Sequence, residues 1–225
     1  MNISVVCCVY NTKNFERDLK PSLEKQIKKT QNIFLYNTEN NYGVPTILNY
    51  GKKQTDGDIV VYLHEDIVLD EKWVEGVYSK IEELNKVDKN WGVLGVAGVT
   101  ASGQSHFRVQ DPGGKWVSGT CPSRVQTIDE CCLIVNKYSG LGFDERYTNH
   151  FYGADICMQA TSKGFNNYII DCFLKHSSRG SRNEQFMLEG KVFMDKWREF
   201  LKGKTVYLTT GEFRFKDNHH KVYGL

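Results

Sequence analysis

Ile59-Val60-Val61-Tyr62-Leu63-His64-Glu65-Asp66 reads IVVYLHED, an apolar, β-branched run that passes straight into three residues able to hold a cation. A short apolar run of this kind reads as a buried strand, and its polar end lies where a strand delivers side chains out of a sheet. Upstream, residues 3–10 (ISVVCCVY) form a similar run that stops at Asn11-Thr12, and residues 32–36 (NIFLY) form another that stops at Asn37-Thr38. A polar helical stretch over 15–29 separates those two runs. A helical pattern over 44–53 then leads into the turn Thr55-Asp56-Gly57-Asp58. Strand, helix, strand, helix and strand ahead of residue 67 predict an α/β fold with a doubly wound, mostly parallel sheet flanked by helices. Ligand contacts in such sheets lie at the carboxyl ends of the strands, where all three polar clusters sit.

Further along, residues 73–87 predict an amphipathic helix with Val74, Val77, Ile81 and Leu84 on its apolar side. Residues 92–99 (GVLGVAGV) read as one glycine-spaced strand. The polar stretch 100–124 contains six glycines or prolines and reads as a functional loop or a small hairpin insertion. Residues 126–136 read as a strand, 154–163 as a helix, 168–170 as a strand and 191–201 as a C-terminal amphipathic helix. The polar tail from Asp217 is expected to be mobile. With 225 residues and no internal repeat or linker, one domain is expected, with a core over 2–176 and a basic loop, helix and tail over 177–225.

Composition narrows the classes. Hydrophobic residues make up 40% and charged residues 25%, enough for a core and against disorder. Lys+Arg less Asp+Glu is 29 − 27, or +2, which argues against a nucleic-acid-coating surface. No window reaches the roughly 20 apolar residues of a membrane span. The start MNISVVCCVYN has no basic n-region, so neither a signal peptide nor a transmembrane segment is expected. A cytoplasmic location follows, with peripheral contact at the inner face of a membrane left open. The seven cysteines include the neighbours Cys7-Cys8 and Cys131-Cys132. Neighbours on a strand point to opposite faces, so reduced, half-buried thiols are expected rather than a disulfide framework.

Three constellations can carry chemistry. His64-Glu65-Asp66 offers imidazole and carboxylate ligands suited to Mn or Mg bridging a diphosphate; the other reading is a solvated acidic turn capping the next helix. Asp155, in Gly153-Ala154-Asp155, is a general base if it faces the same crevice, or a first-turn aspartate favoured by the helix dipole. His176, Arg179 and Arg182 lie in a polar loop where guanidinium groups can bind phosphate, or simply face solvent. His106, His150, His219 and His220 have no ligand partner at helical spacing and read as surface or core residues. The motifs of P-loop NTPases, dinucleotide dehydrogenases and serine hydrolases are absent.

The order and spacing of several segments resemble family 2 glycosyltransferases of the GT-A fold. These are Val9-Tyr10-Asn11, Gly43 with Asn49-Tyr50-Gly51, the segment from Gly57 to Asp66, Gly142-Phe143-Asp144-Glu145, and Gly153-Ala154-Asp155-Ile156-Cys157. The resemblance covers residues 2–176 and implies a single GT-A domain that moves a sugar from a nucleotide-diphospho-sugar donor, metal-assisted and inverting. It implies a nucleotide-sugar site formed by Val9, Tyr10, Asn11, Asn37, Gly43, Asn49, His64, Glu65, Arg179 and Arg182. It further implies a Mn or Mg ion held by Asp66, His64 and His176, with Asp155 as base. Asp129 and Glu130 would meet a glycan or glycolipid acceptor in polysaccharide biosynthesis, and Trp116, with Phe107 and Arg108, would stack on its sugar or pack within its own hairpin.

Four positions depart from the family pattern. Asn37 replaces the usual aspartates, Leu48 stands at a frequent arginine, His64 replaces the first carboxylate of the Asp-x-Asp motif, and Ala154 leaves Asp155 without the common preceding glutamate. Two other classes stay open on the sequence: a nucleotide-sugar-binding module without turnover, and a nucleotidyltransferase. The second normally needs a glycine-rich loop after the first strand, and Asn11-Thr12-Lys13-Asn14 has no glycine.

Overall fold

The computed structural model describes residues 1–178, 180, 182–215 and 221–223, the last three by their backbone; Arg179, His219 and His220 lie outside the described residues. The first half runs β1 (Ile3–Val9), α1 (Thr12–Arg17), α2 (Leu19–Glu24), β2 (Gln31–Tyr36), α3 (Val44–Lys53), β3 (Ile59–Leu63), β4 (Ile67–Val68), α4 (Trp73–Asn85), β5 (Trp91–Gly95), β6 (Ala97–Val99) and β7 (Ser105–Asp111). The second half runs β8 (Gly114–Ser118), β9 (Ser123–Val125), β10 (Thr127–Ile128), β11 (Cys132–Asn136), α5 (Tyr152–Ser162), β12 (Asn166–Ile169), β13 (Leu174–His176), α6 (Glu184–Trp197), β14 (Thr205–Leu208), β15 (Gly211–Arg214) and β16 (Lys221–Tyr223).

The central sheet has the order β2-β1-β3-β11-β5-β12-β9. Pairing is parallel for β2-β1-β3 and for β5-β12, while β11 enters antiparallel between β3 and β5, and β9 closes the far edge antiparallel. All of β1 and all of β3 are buried, as strands covered on both faces must be. Alternate residues feed opposite cores. Val5, Cys7, Val9, Val61 and Leu63 pack with α1, α2 and α4 through Phe15, Leu19, Val74 and Ile81. Val6, Cys8, Val60 and Tyr62 pack with α3, α5 and α6 through Leu48, Ile156, Met158 and Phe193. Each such side chain contributes ~1.5–3 kcal/mol when fully buried. Cys7 and Cys8 thus face opposite cores, and all seven cysteines are free; six are buried rather than half-buried.

A second sheet, β10-β6-β7-β13-β4 with β8 on β7, and a three-stranded sheet, β14-β15-β16, complete the layers. Three single elements expected from pattern are split in two. The helix expected over 15–29 breaks at Asp18 and ends at Glu24, because the buried Gln26 amide bonds Ser22 and Asp70 carbonyls and accepts from Val74 N–H instead of continuing a helix. The run 92–99 divides into β5 and β6, which belong to different sheets. At the division, a Cβ on Gly95 would lie 2.3 Å from Ile128 Cγ2, so only glycine permits the strands to approach. The run 126–136 divides into β10 and β11, with Asp129-Glu130-Cys131 between them. The stretch 100–124 contains the β7–β8 hairpin; of the tail from Asp217, Lys221–Tyr223 pairs with β15, and the remainder lies outside the described residues. Among the described residues, no helix is long and apolar enough to cross a membrane.

Candidate functional site

Buried β3 fixes where His64-Glu65-Asp66 emerges, and β4 follows at once, carrying the chain into the second sheet. There β4 pairs with β13 in a register that sets Ile67 opposite His176. The pairing places His176 Nε2 3.2 Å from Asp66 Oδ1. The His64 and His176 ring centroids are 5.4 Å apart, and His64 Nε2 lies 3.0 Å from the Tyr152 hydroxyl at the start of α5. One ligand atom from each of His64, Asp66 and His176 falls within 4.8 Å of the others.

Burial alone would raise the Asp66 carboxyl, but the hydrogen bond and charge of His176 overcome it and hold the group well below the usual carboxylate range. Burial and the charge of His176 push His64 down to about 4, so it is a neutral imidazole at neutral pH. Burial opposes a charged His176, yet Asp66 raises it. The donor set is therefore one ionised carboxylate, one neutral imidazole and one imidazole that yields a proton on ligation. These residues fit a divalent cation.

Two cavities meet beside this cluster. The larger, about 630 Å³, is lined by His64, His176, Asp129 and Glu130 together with Phe107, Trp116 and Phe186. The smaller, about 180 Å³, is lined by Cys8, Tyr10, Leu48, Tyr62, Glu65 and Tyr152. His64, Glu130 and Asn149 line both.

The other expected residues divide sharply. Tyr10 and Glu65 line the smaller cavity, and Glu65 accepts from Asn11 N–H at 3.2 Å. Burial raises the Glu65 carboxyl. Asn11 caps α1, its side chain accepting from Lys13 and Asn14 N–H. Val9 is buried in β1 and lines neither cavity. Asn37 closes its own turn, its amide donating to Tyr42 O at 2.7 Å. Gly43 starts α3 against the Tyr147 carbonyl, where a Cβ would come within 2.8 Å. Asn49 spends its amide on Phe143 and Glu145, tying α3 to the loop before α5. Arg182 is exposed and is not among the residues lining either cavity. Asn37, Gly43, Asn49 and Val9 therefore build the scaffold rather than contact a ligand in these cavities.

Asp155 requires the largest correction. It is 0% exposed. Its Oδ1 accepts from Tyr147 at 3.2 Å and Trp197 at 2.8 Å, and its Oδ2 accepts from Gln159 at 2.7 Å and Lys196 at 2.8 Å. With four donors and no face on either cavity, Asp155 is an anchor between α5 and α6, not a base in the crevice.

Asp129 and Glu130 instead face the larger cavity from the turn between β10 and β11. Burial would raise Asp129, but the Thr209 hydroxyl at 2.6 Å and Cys131 N–H at 3.1 Å hold it low. Burial and the charge of Asp129 push Glu130 up to about 8. Trp116 lines the same cavity, and its indole N–H donates to Asp111 at 3.0 Å. Asn149, His150, Tyr152, Phe186 and Thr209 also reach the cavities. Sequence spacing offers no signal for Asn149 and His150, because the buried Glu189 on α6 shapes their loop by accepting from the N–H groups of Thr148, Asn149 and His150.

The sequence pattern of the family described as Glycosyl transferase family 2 matches residues 4–111. A curated relative from Fuscovulum blasticum, described as ATP synthase subunits region ORF 6, is 31% identical over 169 residues, 69% of this chain and 66% of that relative. S. aureus TarS 1–349 in complex with UDP-GlcNAc superposes with a TM-score of 0.55 at 14% identity, covering 81% of this chain and 60% of that one. GalNAc-T7 with UDP, GalNAc and Mn2+ gives 0.56 at 12% identity, covering 80% of this chain and 44% of that one. The chain thus spans about two thirds of the curated relative and 60% or less of these two structures, whose likeness is one of fold. Residues 4–111 thus carry the pattern of Glycosyl transferase family 2, and the chain as a whole has the GT-A fold of family 2-like glycosyltransferases.

Proposed function

We propose that the chain transfers a sugar from a nucleotide-diphospho-sugar to a hydroxyl acceptor, with inversion and with a divalent metal. The observation that carries this reading is the cluster of His64, Asp66 and His176 at the seam between two cavities. A donor laid across that seam has its nucleoside in the smaller cavity against Tyr10, its diphosphate beside the cluster, and its sugar in the larger one. The larger cavity, with Trp116 and Phe107 beside Asp111, Asp129 and Glu130, suits a glycan acceptor: rings stack on sugar faces and carboxylates accept from hydroxyls. TarS with UDP-GlcNAc and GalNAc-T7 with UDP and Mn2+ share the fold and support a donor of this class.

Asp66, His64 and His176 would hold the ion, which when bound neutralises charge gathering on the leaving diphosphate. The chain's own part is to orient donor and acceptor and to keep the reacting carbon away from bulk water. A thermal-shift screen of UDP-, GDP- and dTDP-sugars, with and without Mn, tests the reading. A ligand at 100 times its Kd stabilises by about 2.7 kcal/mol. A shift that needs both nucleotide sugar and Mn is expected; no shift with any of them overturns the proposal.

A further inference from the structure

We propose that Glu130, not Asp155, takes the proton from the acceptor, and that the missing side chain at Gly153 makes room for it. This rests on the transferase reading above. A base for this reaction must face both substrates, and Glu130 lines both cavities. Its Oε1 accepts from Gly153 N–H at 3.2 Å, which ties the carboxylate to the first turn of α5. A Cβ on Gly153 would meet Glu130 Cγ at 2.8 Å and Ile128 O at 2.9 Å. Phe151 just before it adopts φ 64°, a left-handed turn that swings the start of α5 over the β10–β11 bend.

Its neighbour Asp129 also lines the larger cavity, but its two oxygens are taken by Cys131 N–H and the Thr209 hydroxyl, bonds that lower its basicity. Glu130 is the stronger base because burial and the charges of Asp129 and Glu189 disfavour its ionised form. In the step itself, which needs the ionised form and is therefore assayed above about pH 8, the acceptor O–H proton passes to the Glu130 carboxylate as the oxygen bonds to the anomeric carbon. The carbon–oxygen bond to the diphosphate breaks, and its electron pair leaves on the nucleoside diphosphate, so atoms and charge balance.

Glu130→Gln tests this, with the UDP-, GDP- and dTDP-sugars above as donors, Mn present, and nucleoside diphosphate release as the readout. Water and simple methyl glycosides serve as hydroxyl acceptors, and sodium azide serves as a nucleophile that carries no proton. The variant is expected to retain the Mn-dependent thermal shift and to lose roughly 10²–10⁴-fold of release with hydroxyl acceptors. Azide is expected to restore release, with an inverted glycosyl azide as product. Release within threefold of the parent overturns the proposal, as does a loss that azide does not relieve, which marks a merely structural role. A parent chain that consumes no donor, even with azide, overturns the transferase reading and this assignment with it.

Discussion

Between about pH 4.5 and 8 the folded chain keeps a proton on Glu130 that the unfolded chain has already released, because burial and Asp129 push the carboxyl from 4.5 to about 8. A raised carboxyl therefore costs stability progressively as pH rises across that window, and the full cost is present above about 8. Glu130→Gln removes the ionisable group at nearly the same volume. The variant is expected to melt higher than the parent at pH 8.5, with the difference shrinking toward pH 5, as read by thermal denaturation across pH. Equal melting temperatures at pH 8.5 would show that Glu130 is not strained by burial. A residue that weakens the fold when ionised, while lining both cavities, behaves as a functional rather than a structural group.

At the element scale, α6 carries the ionic clamp that removes Asp155 from the crevice. Lys196 reaches Asp144 and Asp155, each at 2.7 Å, and joins the loop before α5 to the start of that helix. Lys196→Met is expected to destabilise by ~3–5 kcal/mol, since breaking a buried pair leaves its partner charge uncompensated. Arg146 and Lys196 hold the Asp144 carboxyl far below its ordinary 3.8 against the opposing pull of burial. A depressed carboxyl contributes stability above its unfolded value and loses it as pH falls through the folded one. The gap between parent and variant in urea titrations should therefore narrow below about pH 3.8. Gly153 is the corresponding device on α5. Alanine in a helix ordinarily gains about 1 kcal/mol over glycine. Here its Cβ meets Glu130 Cγ and Ile128 O under 3.0 Å. Gly153→Ala is expected to destabilise by ~1–3 kcal/mol in denaturant titrations, since overpacking outweighs propensity, and to impair donor consumption by displacing Glu130.

Across the whole molecule, the two sheets meet where β3 passes into β4, and the junction brings together residues more than 100 positions apart, Asp66 and His176. Much of the frame is legible locally. β1, β3 and α3 follow from apolar runs and helical spacing, because a strand buried on both faces must be apolar throughout, whatever its neighbours. His64-Glu65-Asp66 is legible for the same reason: a strand end in a doubly wound sheet is a ligand site by topology. Asp155 misleads because a first-turn aspartate looks alike whether it faces solvent or Trp197 and Lys196, which lie about 40 residues on. The bend at Asp129-Glu130 hides inside an unbroken strand-like run, since only the separate pairing of β10 with β6 and of β11 with β3 divides it. Local chemistry thus suffices for strands β1 and β3 and for the His64-Glu65-Asp66 strand end, as these depend on contiguous residues, whereas His176 joins them only through the pairing of β4 with β13. Which carboxylate faces the cavities needed the tertiary fold, because that depends on burial and on donors from distant elements, and no spacing in the chain records either.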